Sequence, residues 1–263
     1  MIHAKKSLGQ NFLVDQNLQR KIVEALDPSP ADAVLEIGPG HGALTRHFVG
    51  RVARLILVEL DDRLAAKLVA EWGDRPEVAV RHQDFLKTDL GSLTADPSSL
   101  LVIGNIPYNI TAPIIFKLLE RPRPKDIVLM VQREVADRLV APADTSEYGA
   151  LSVGVRSVAS VESVLRVPRT AFRPQPRVDS SVVRITPTVP PPLTSDEESS
   201  LRTLTRATFQ WRRKQLQKTL REHGDLGLSR GAVDRIAEVT GWDLTRRPET
   251  LEPDDFVSLS KLI

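Results

Sequence analysis

The residues best suited to chemistry stand together at Asn105-Ile106-Pro107-Tyr108-Asn109. A carboxamide, a proline and an aromatic ring in so short a span suit a planar ring that carries an exocyclic amine. The lone pair of such an amine is delocalised into the ring, which makes it a poor nucleophile. Two acceptors that take its N–H bonds in a tetrahedral arrangement favour the pyramidal form, whose lone pair can attack an electrophile. Asn105 offers a side-chain carbonyl. Pro107 fixes φ and removes a backbone donor, so neighbouring carbonyls are held in one direction. Tyr108 offers a flat face on which a base can stack. The structural alternative is a plain strand-to-helix turn with Pro107 as breaker and Tyr108 as packing, and these residues alone do not separate the two.

The elements that must position this motif are legible on either side of it. Leu100-Leu101-Val102-Ile103 is an apolar run that predicts a buried strand. The motif therefore falls at a strand's carboxyl end, the edge where open α/β sheets bind ligands. Upstream, Ala33-Val34-Leu35-Glu36-Ile37 predicts another strand, running into Gly38-Pro39-Gly40-His41-Gly42-Ala43. A glycine turn there lets the backbone approach a ligand, and a helix N-terminus after it presents N–H groups. Gly38, Gly40 and Ala43 also satisfy the dinucleotide-binding spacing. The strand Leu55-Ile56-Leu57-Val58 ends at Glu59, 21 residues after Gly38, where a carboxylate can accept from both ribose hydroxyls. NAD and S-adenosylmethionine (SAM) both carry an adenosine ribose, so turn and acid point to an adenosine cofactor without choosing between them. After a third strand at Val78-Ala79-Val80, Asp84 can take an adenine amine and Phe85 can cover the ring. A turn or helix cap is the structural alternative for Asp84.

Further along, residues 111–119 predict a helix, 126–131 a fifth strand and 132–139 a helix. Residues 151–167 hold another strand, 172–180 a loop, and 181–185 a last strand. Pro187-Thr188-Val189-Pro190-Pro191-Pro192 reads as a stiff linker. The expected division is a catalytic domain over 1–187 and a small helical domain over 188–263. Within the latter, residues 201–221 read as one basic helix with seven basic residues and no acidic one. Such a patch can meet phosphates although the net charge is only +2.

A chain of 263 residues with 41% hydrophobic and 27% charged content is ordinary for a globular protein. No apolar run approaches the ~18 residues of a membrane span, and Met1-Ile2-His3-Ala4-Lys5-Lys6 lacks a signal-peptide core. With no cysteine there is no thiol nucleophile, no disulfide and no Cys-ligated zinc, which fits a cytoplasmic enzyme. His41 and His47 have no metal-ligand partner at suitable spacing, so no metal is expected.

Five separated segments together resemble one family, the rRNA adenine N6-dimethyltransferases of the KsgA/RsmA type. They are Gln10-Asn11-Phe12-Leu13, Glu36-Ile37-Gly38-Pro39-Gly40-His41-Gly42-Ala43-Leu44-Thr45, Asn105-Ile106-Pro107-Tyr108-Asn109, Gln132-Arg133-Glu134-Val135-Ala136-Asp137-Arg138 and Phe172-Arg173-Pro174-Gln175-Pro176-Arg177-Val178-Asp179-Ser180. Phe209 with Arg212-Arg213-Lys214 is similar to that family's basic C-terminal motif. Ile106 stands where that family usually has Leu, and Ile is common in the related Erm type, which acts on large-subunit rRNA. The resemblance implies an α/β, Rossmann-like SAM-dependent methyltransferase sheet of seven strands, parallel except for one, followed by a small helical domain. It implies SAM as methyl donor, two adjacent adenines near the 3′ end of 16S rRNA within the small ribosomal subunit as substrate, and action as a monomer. Residue by residue, it implies that Asn11 and Leu13 close over SAM and that Gly38 and Gly40 pass beneath it. Glu59 holds the ribose, Asp84 and Phe85 the adenine, and Asn105 bridges cofactor and target amine. Tyr108 stacks on the flipped base, Phe172 covers its other face, and Arg212, Arg213 and Lys214 contact RNA.

Overall fold

The computed structural model describes residues 10–263; the stretch Met1-Ile2-His3-Ala4-Lys5-Lys6 lies outside the described residues. A short strand β1 (Phe12–Leu13) leads into α1 (Gln16–Leu26). Asp15 caps that helix by accepting from the Asn17 and Leu18 amides at 2.9 and 3.0 Å. Ile22, Val23 and Leu26 lie on one helical stripe and are buried. There follow β2 (Ala33–Ile37), β3 (Arg54–Glu59), α2 (Asp62–Trp72), β4 (Val78–His82), β5 (Leu101–Asn105), α3 (Thr111–Leu118) and β6 (Asp126–Gln132). The chain continues through α4 (Arg133–Val140), α5 (Ala150–Arg156), β7 (Ala159–Val167), β8 (Phe172–Arg173) and β9 (Ser180–Pro187).

Seven of these strands form one sheet in the order β4-β3-β2-β5-β6-β9-β7, and β1 pairs with β8 separately. The pairs from β4 to β6 are parallel, and β9 runs antiparallel to β6. Strands covered on both faces need continuous apolar runs rather than alternation. Hence Val102, Ile103, Ile127, Val128 and Leu129 are all fully buried. The register carries the function. Ile37 sits level with Val58 on one side and Gly104 on the other. One residue further on, Gly38, Glu59 and Asn105 therefore emerge in a row at the same edge. A side chain at Gly104 would place its Cβ 2.9 Å from the Ile37 carbonyl oxygen, so the strands meet this closely only with glycine there.

The antiparallel strand is pinned at its far end. Asp126, nearly fully buried, accepts from Arg184 Nε at 2.6 Å and from Thr186 Oγ1 at 2.8 Å. The Asp126 carboxylate in turn holds the Arg184 guanidinium above its ordinary pKa. This clamp sets β9 against β6 with Ser180 level with Gln132.

The chain divides into two compact units, one of residues up to Ala136 with Val161–Pro187, the other of Asp137–Ser160 with Thr188–Ile263. Residues 137–160, which sequence assigns to the catalytic domain, thus cluster with the helical tail. The reason is Tyr148. It is fully buried, donates its hydroxyl to the Leu251 carbonyl at 2.7 Å, and meets Phe209 edge-on with ring centroids 5.8 Å apart. The tail contributes α6 (Ser195–Gln210), α7 (Leu216–Glu222), α8 (Arg230–Thr240) and α9 (Pro253–Ser260). The single basic helix expected over 201–221 is broken at 211–215, where Trp211 packs edge-on against His223 at 5.2 Å. The stretch 151–167, expected to hold only a strand, begins with α5. No helix among the described residues is long and apolar enough to cross a membrane.

Candidate active site

The chain runs from β2 outward through β3 and β4, then returns to the other side of β2 as β5. Where strand order reverses in this way, the connections diverge and leave a crevice at the carboxyl ends. Here it is a cavity of about 540 Å³, in the range that takes a nucleoside-sized ligand. Asn11, Leu13, Gly38, Gly40, Glu59, Asp84, Phe85, Asn105, Pro107 and Tyr108 all line it. Sequence nominated each of these separately; the shared edge brings them to one space.

The glycine turn is held from below by acids. Glu59, 5% exposed, accepts from the Gly40 amide at 3.0 Å through Oε2 and from the Asp61 amide at 2.9 Å through Oε1. Glu59 also lines the cavity. Burial pushes the Glu59 carboxyl up, opposed by those backbone hydrogen bonds. Gly40 itself has φ +60°, and a Cβ there would press to 3.2 Å from the Phe12 ring. Behind Glu59 lies Glu36, 2% exposed, which accepts from the Thr45 hydroxyl at 2.6 Å. Burial, opposed by the Thr45 bond and reinforced by the Glu59 charge, pushes Glu36 up to about 8.

Asp84 caps the single turn Phe85–Lys87 by accepting from the Leu86 amide at 3.0 Å through Oδ1, and it also lines the cavity. Phe85 is buried against the cavity. At the other end, Asn105 donates from Nδ2 to the Asn11 carbonyl at 2.9 Å. One amide hydrogen is thereby committed and the plane of the carboxamide is set. Pro107, with φ −60°, opens the turn Tyr108–Ile110, and its own carbonyl accepts from the Ile110 amide at 3.2 Å. The Tyr108 hydroxyl lies 2.7 Å from Ser180 Oγ. Burial raises the Tyr108 pKa, opposed by Ser180 and reinforced by the Asp179 charge.

Two nominated roles require correction. Phe172 is fully buried in the hydrophobic core and does not line the cavity. Its pairing with Leu13 in the β1–β8 ribbon turns the ring inward, so it packs the core instead of offering a stacking face. Arg212, in the helical unit, is spent on structure: it pairs with Glu249 and donates to the Thr145 and Ser146 carbonyls at 2.7 and 3.0 Å. Its neighbours Arg213 and Lys214 are exposed.

Other cavity residues escaped the sequence reading. Leu60, directly after Glu59, is 48% exposed and lines the cavity, giving an apolar face beside that carboxylate. An apolar residue following a strand-end acid was the available signal. Gln10 reaches Asp61 at 3.4 Å and lines the cavity at its amino-terminal side. His41 meets Phe12 edge-on at 4.3 Å, a packing role.

The model of the ribosomal RNA adenine dimethylase family matches residues 1–252. The chain is 42% identical over 265 aligned residues to ribosomal RNA small subunit methyltransferase A of Geobacillus kaustophilus, covering 98% of this chain and 90% of that protein. Among solved structures, a dimethyladenosine transferase from Plasmodium falciparum superposes with TM-score 0.79 at 27% identity, over 94% of this chain and 95% of the other. The 23S rRNA methyltransferase ErmE superposes with TM-score 0.71, also at 27% identity, over 96% and 99%.

Proposed function

The chain belongs to the ribosomal RNA adenine dimethylase family, and we propose that it uses SAM to dimethylate the N6 amines of two adjacent adenines in the 3′-terminal hairpin of 16S rRNA. On this reading it acts as a monomer on the small ribosomal subunit, in the cytoplasm, during subunit biogenesis. The observation that carries the reading is the convergence of these groups on one cavity. Gly38, Gly40, Glu59, Asp84 and the motif's Asn105, Pro107 and Tyr108 all belong to its lining.

The residues present fit an adenosine cofactor. The carboxylates of Glu59 and Asp84 line the cavity as acceptors for ribose hydroxyls and an adenine amine, and Leu60 and Phe85 supply apolar faces for the ring. Bound SAM supplies a methyl group on a cationic sulfonium, already activated for displacement. The protein's task is to bring a poor nucleophile to it. An adenine must leave its stack to enter the cavity, at a cost of a few kcal/mol. Stacking on Tyr108 returns about 1–3 kcal/mol of that. With its Nδ2 committed to Asn11, Asn105 presents Oδ1 as acceptor for one N6–H. A backbone carbonyl of the Ile106-Pro107 segment is the second acceptor on this reading. Together they favour the pyramidal amine. Proximity and orientation then supply most of the rate. The methylated amine is acidic enough to lose its proton to water, so no strong base is required.

The test is transfer of labelled methyl from SAM to undermethylated small and large ribosomal subunits, with the RNA digested to nucleosides. N6,N6-dimethyladenosine from the small subunit alone is the expected result. Label in the large subunit instead would move the chain toward the activity named for ErmE.

A further inference from the structure

The sheet's antiparallel strand brings to the site a residue to which the sequence assigned no role. β9 runs opposite to its neighbour β6, so its first residue, not its last, lies at the edge where β5 ends and the cavity opens. That residue is Ser180, 1% exposed. Its Oγ lies 2.7 Å from the Tyr108 hydroxyl across 72 residues of sequence. The approach to Ser180 is tied down as well. The Asp179 carbonyl accepts from the Arg133 amide at 3.1 Å and its carboxylate from the Arg169 amide at 2.9 Å. Ser180 is thus a fixed point, whereas Tyr108 is half-buried at the mouth of the cavity.

We infer that Ser180 is a positioning residue for methyl transfer: its hydroxyl tethers the far end of Tyr108, so that the ring presents its face to the incoming adenine. The inference rests on the reading of Tyr108 as the stacking platform. A ring held at its Cα alone can rotate about two torsions, and each alternative rotamer withdraws the face from the base. A second anchor at the hydroxyl removes that freedom before substrate arrives, which is the economy of a preorganised site. The same geometry explains why a tyrosine suits the position where phenylalanine would stack as well. The hydroxyl is needed for the tether and takes no part in the chemistry.

The test compares Ser180→Ala, Tyr108→Phe and the double variant in transfer of labelled methyl from SAM to undermethylated small subunits. Each single variant is expected to lower kcat about fivefold to tenfold, the worth of one hydrogen bond, and the double variant to fall no further. SAM affinity by calorimetry should stay within about twofold, because the cofactor wall is untouched. A spectroscopic signature accompanies this. The chain has two tyrosines, Tyr108 and Tyr148. Ring-13C-labelled tyrosine therefore gives two sets of signals, and S180A should move or broaden only those of Tyr108. Multiplicative losses in the double variant, wild-type kcat in S180A, or unmoved Tyr108 signals would overturn the inference. If S180A does not fold, Y108F decides: a rate equal to wild type overturns it, and a fivefold to tenfold loss supports it. Absence of methyl transfer by the wild type would instead overturn the proposed function, and this inference with it.

Discussion

Glu36 offers a quantitative test of how the cavity floor is built. Its carboxyl is 2% exposed, hydrogen-bonded to Thr45, and pushed up to about 8 by burial, from an ordinary value of 4.5. An acid whose folded pKa lies above its unfolded one contributes stability that is fully present below pH 4.5 and is lost as pH rises toward 8. In that window the unfolded chain ionises freely while the folded chain either holds the proton or bears a buried charge. One pKa unit corresponds to 1.36 kcal/mol, so the loss between pH 4.5 and 7 amounts to about 3 kcal/mol. Glu36→Gln keeps the shape and an acceptor for Thr45 and cannot ionise. The variant should therefore match the wild type near pH 4.5 and exceed it by about 3 kcal/mol at pH 7. Urea unfolding followed by circular dichroism at intervals from pH 4.5 to 8.5 reads this directly. A difference between the two proteins that stays constant with pH would refute the reasoning, because it would mean that Glu36 is equally ionised in both states.

The remaining tests address the site and its partners. Asn105→Ala removes the oriented acceptor and should lower kcat by about 100-fold while leaving small-subunit binding intact; wild-type turnover would remove Asn105 from the chemistry. Glu59→Gln cannot accept from both the Gly40 and Asp61 amides and loses an acceptor toward ribose, so SAM affinity by calorimetry should weaken about tenfold or more. An unchanged dissociation constant would dispose of the ribose assignment. Arg213 and Lys214 are exposed, and replacing both by Ala should reduce the salt dependence of small-subunit binding by about two in log–log slope. Arg212→Ala should instead lower the thermal midpoint and leave that slope unchanged; the reverse pattern would restore Arg212 as an RNA contact.

What was legible in the sequence was whatever a single strand end specifies. Each of Gly38, Glu59 and Asn105 follows an apolar run, and parallel strands in matching register bring such ends into line. Reading three runs separately therefore located three residues that line one cavity. Asp84 followed by the same logic, since it lies just beyond β4 at that edge. What composition could not resolve was the direction in which neighbouring residues of one type point. Arg212 and Arg213 are identical in charge and adjacent. Glu249 and two backbone carbonyls draw one inward, and the other stays exposed. Phe172 looked like a loop aromatic ready to stack, yet two residues of pairing with β1 suffice to bury it.

The same limit explains why Ser180, although it ends one of the quoted segments, was given no role while Tyr108 was conspicuous. A strand that continues the parallel pattern would deliver its last residue to the functional edge. β9 delivers its first, and nothing in the run Ser181-Val182-Val183-Arg184-Ile185 states which way it will run. The direction follows from the connection. A parallel return needs a crossover of a dozen residues or more, usually a helix. The twelve residues 168–179 between β7 and β9 hold no crossover α-helix, only a short turn, the two residues of β8 and a loop. Reversal of that one strand thus does two things at once. It closes the sheet without another helix, and it sets a fixed hydroxyl 2.7 Å from the hydroxyl of the motif's aromatic ring.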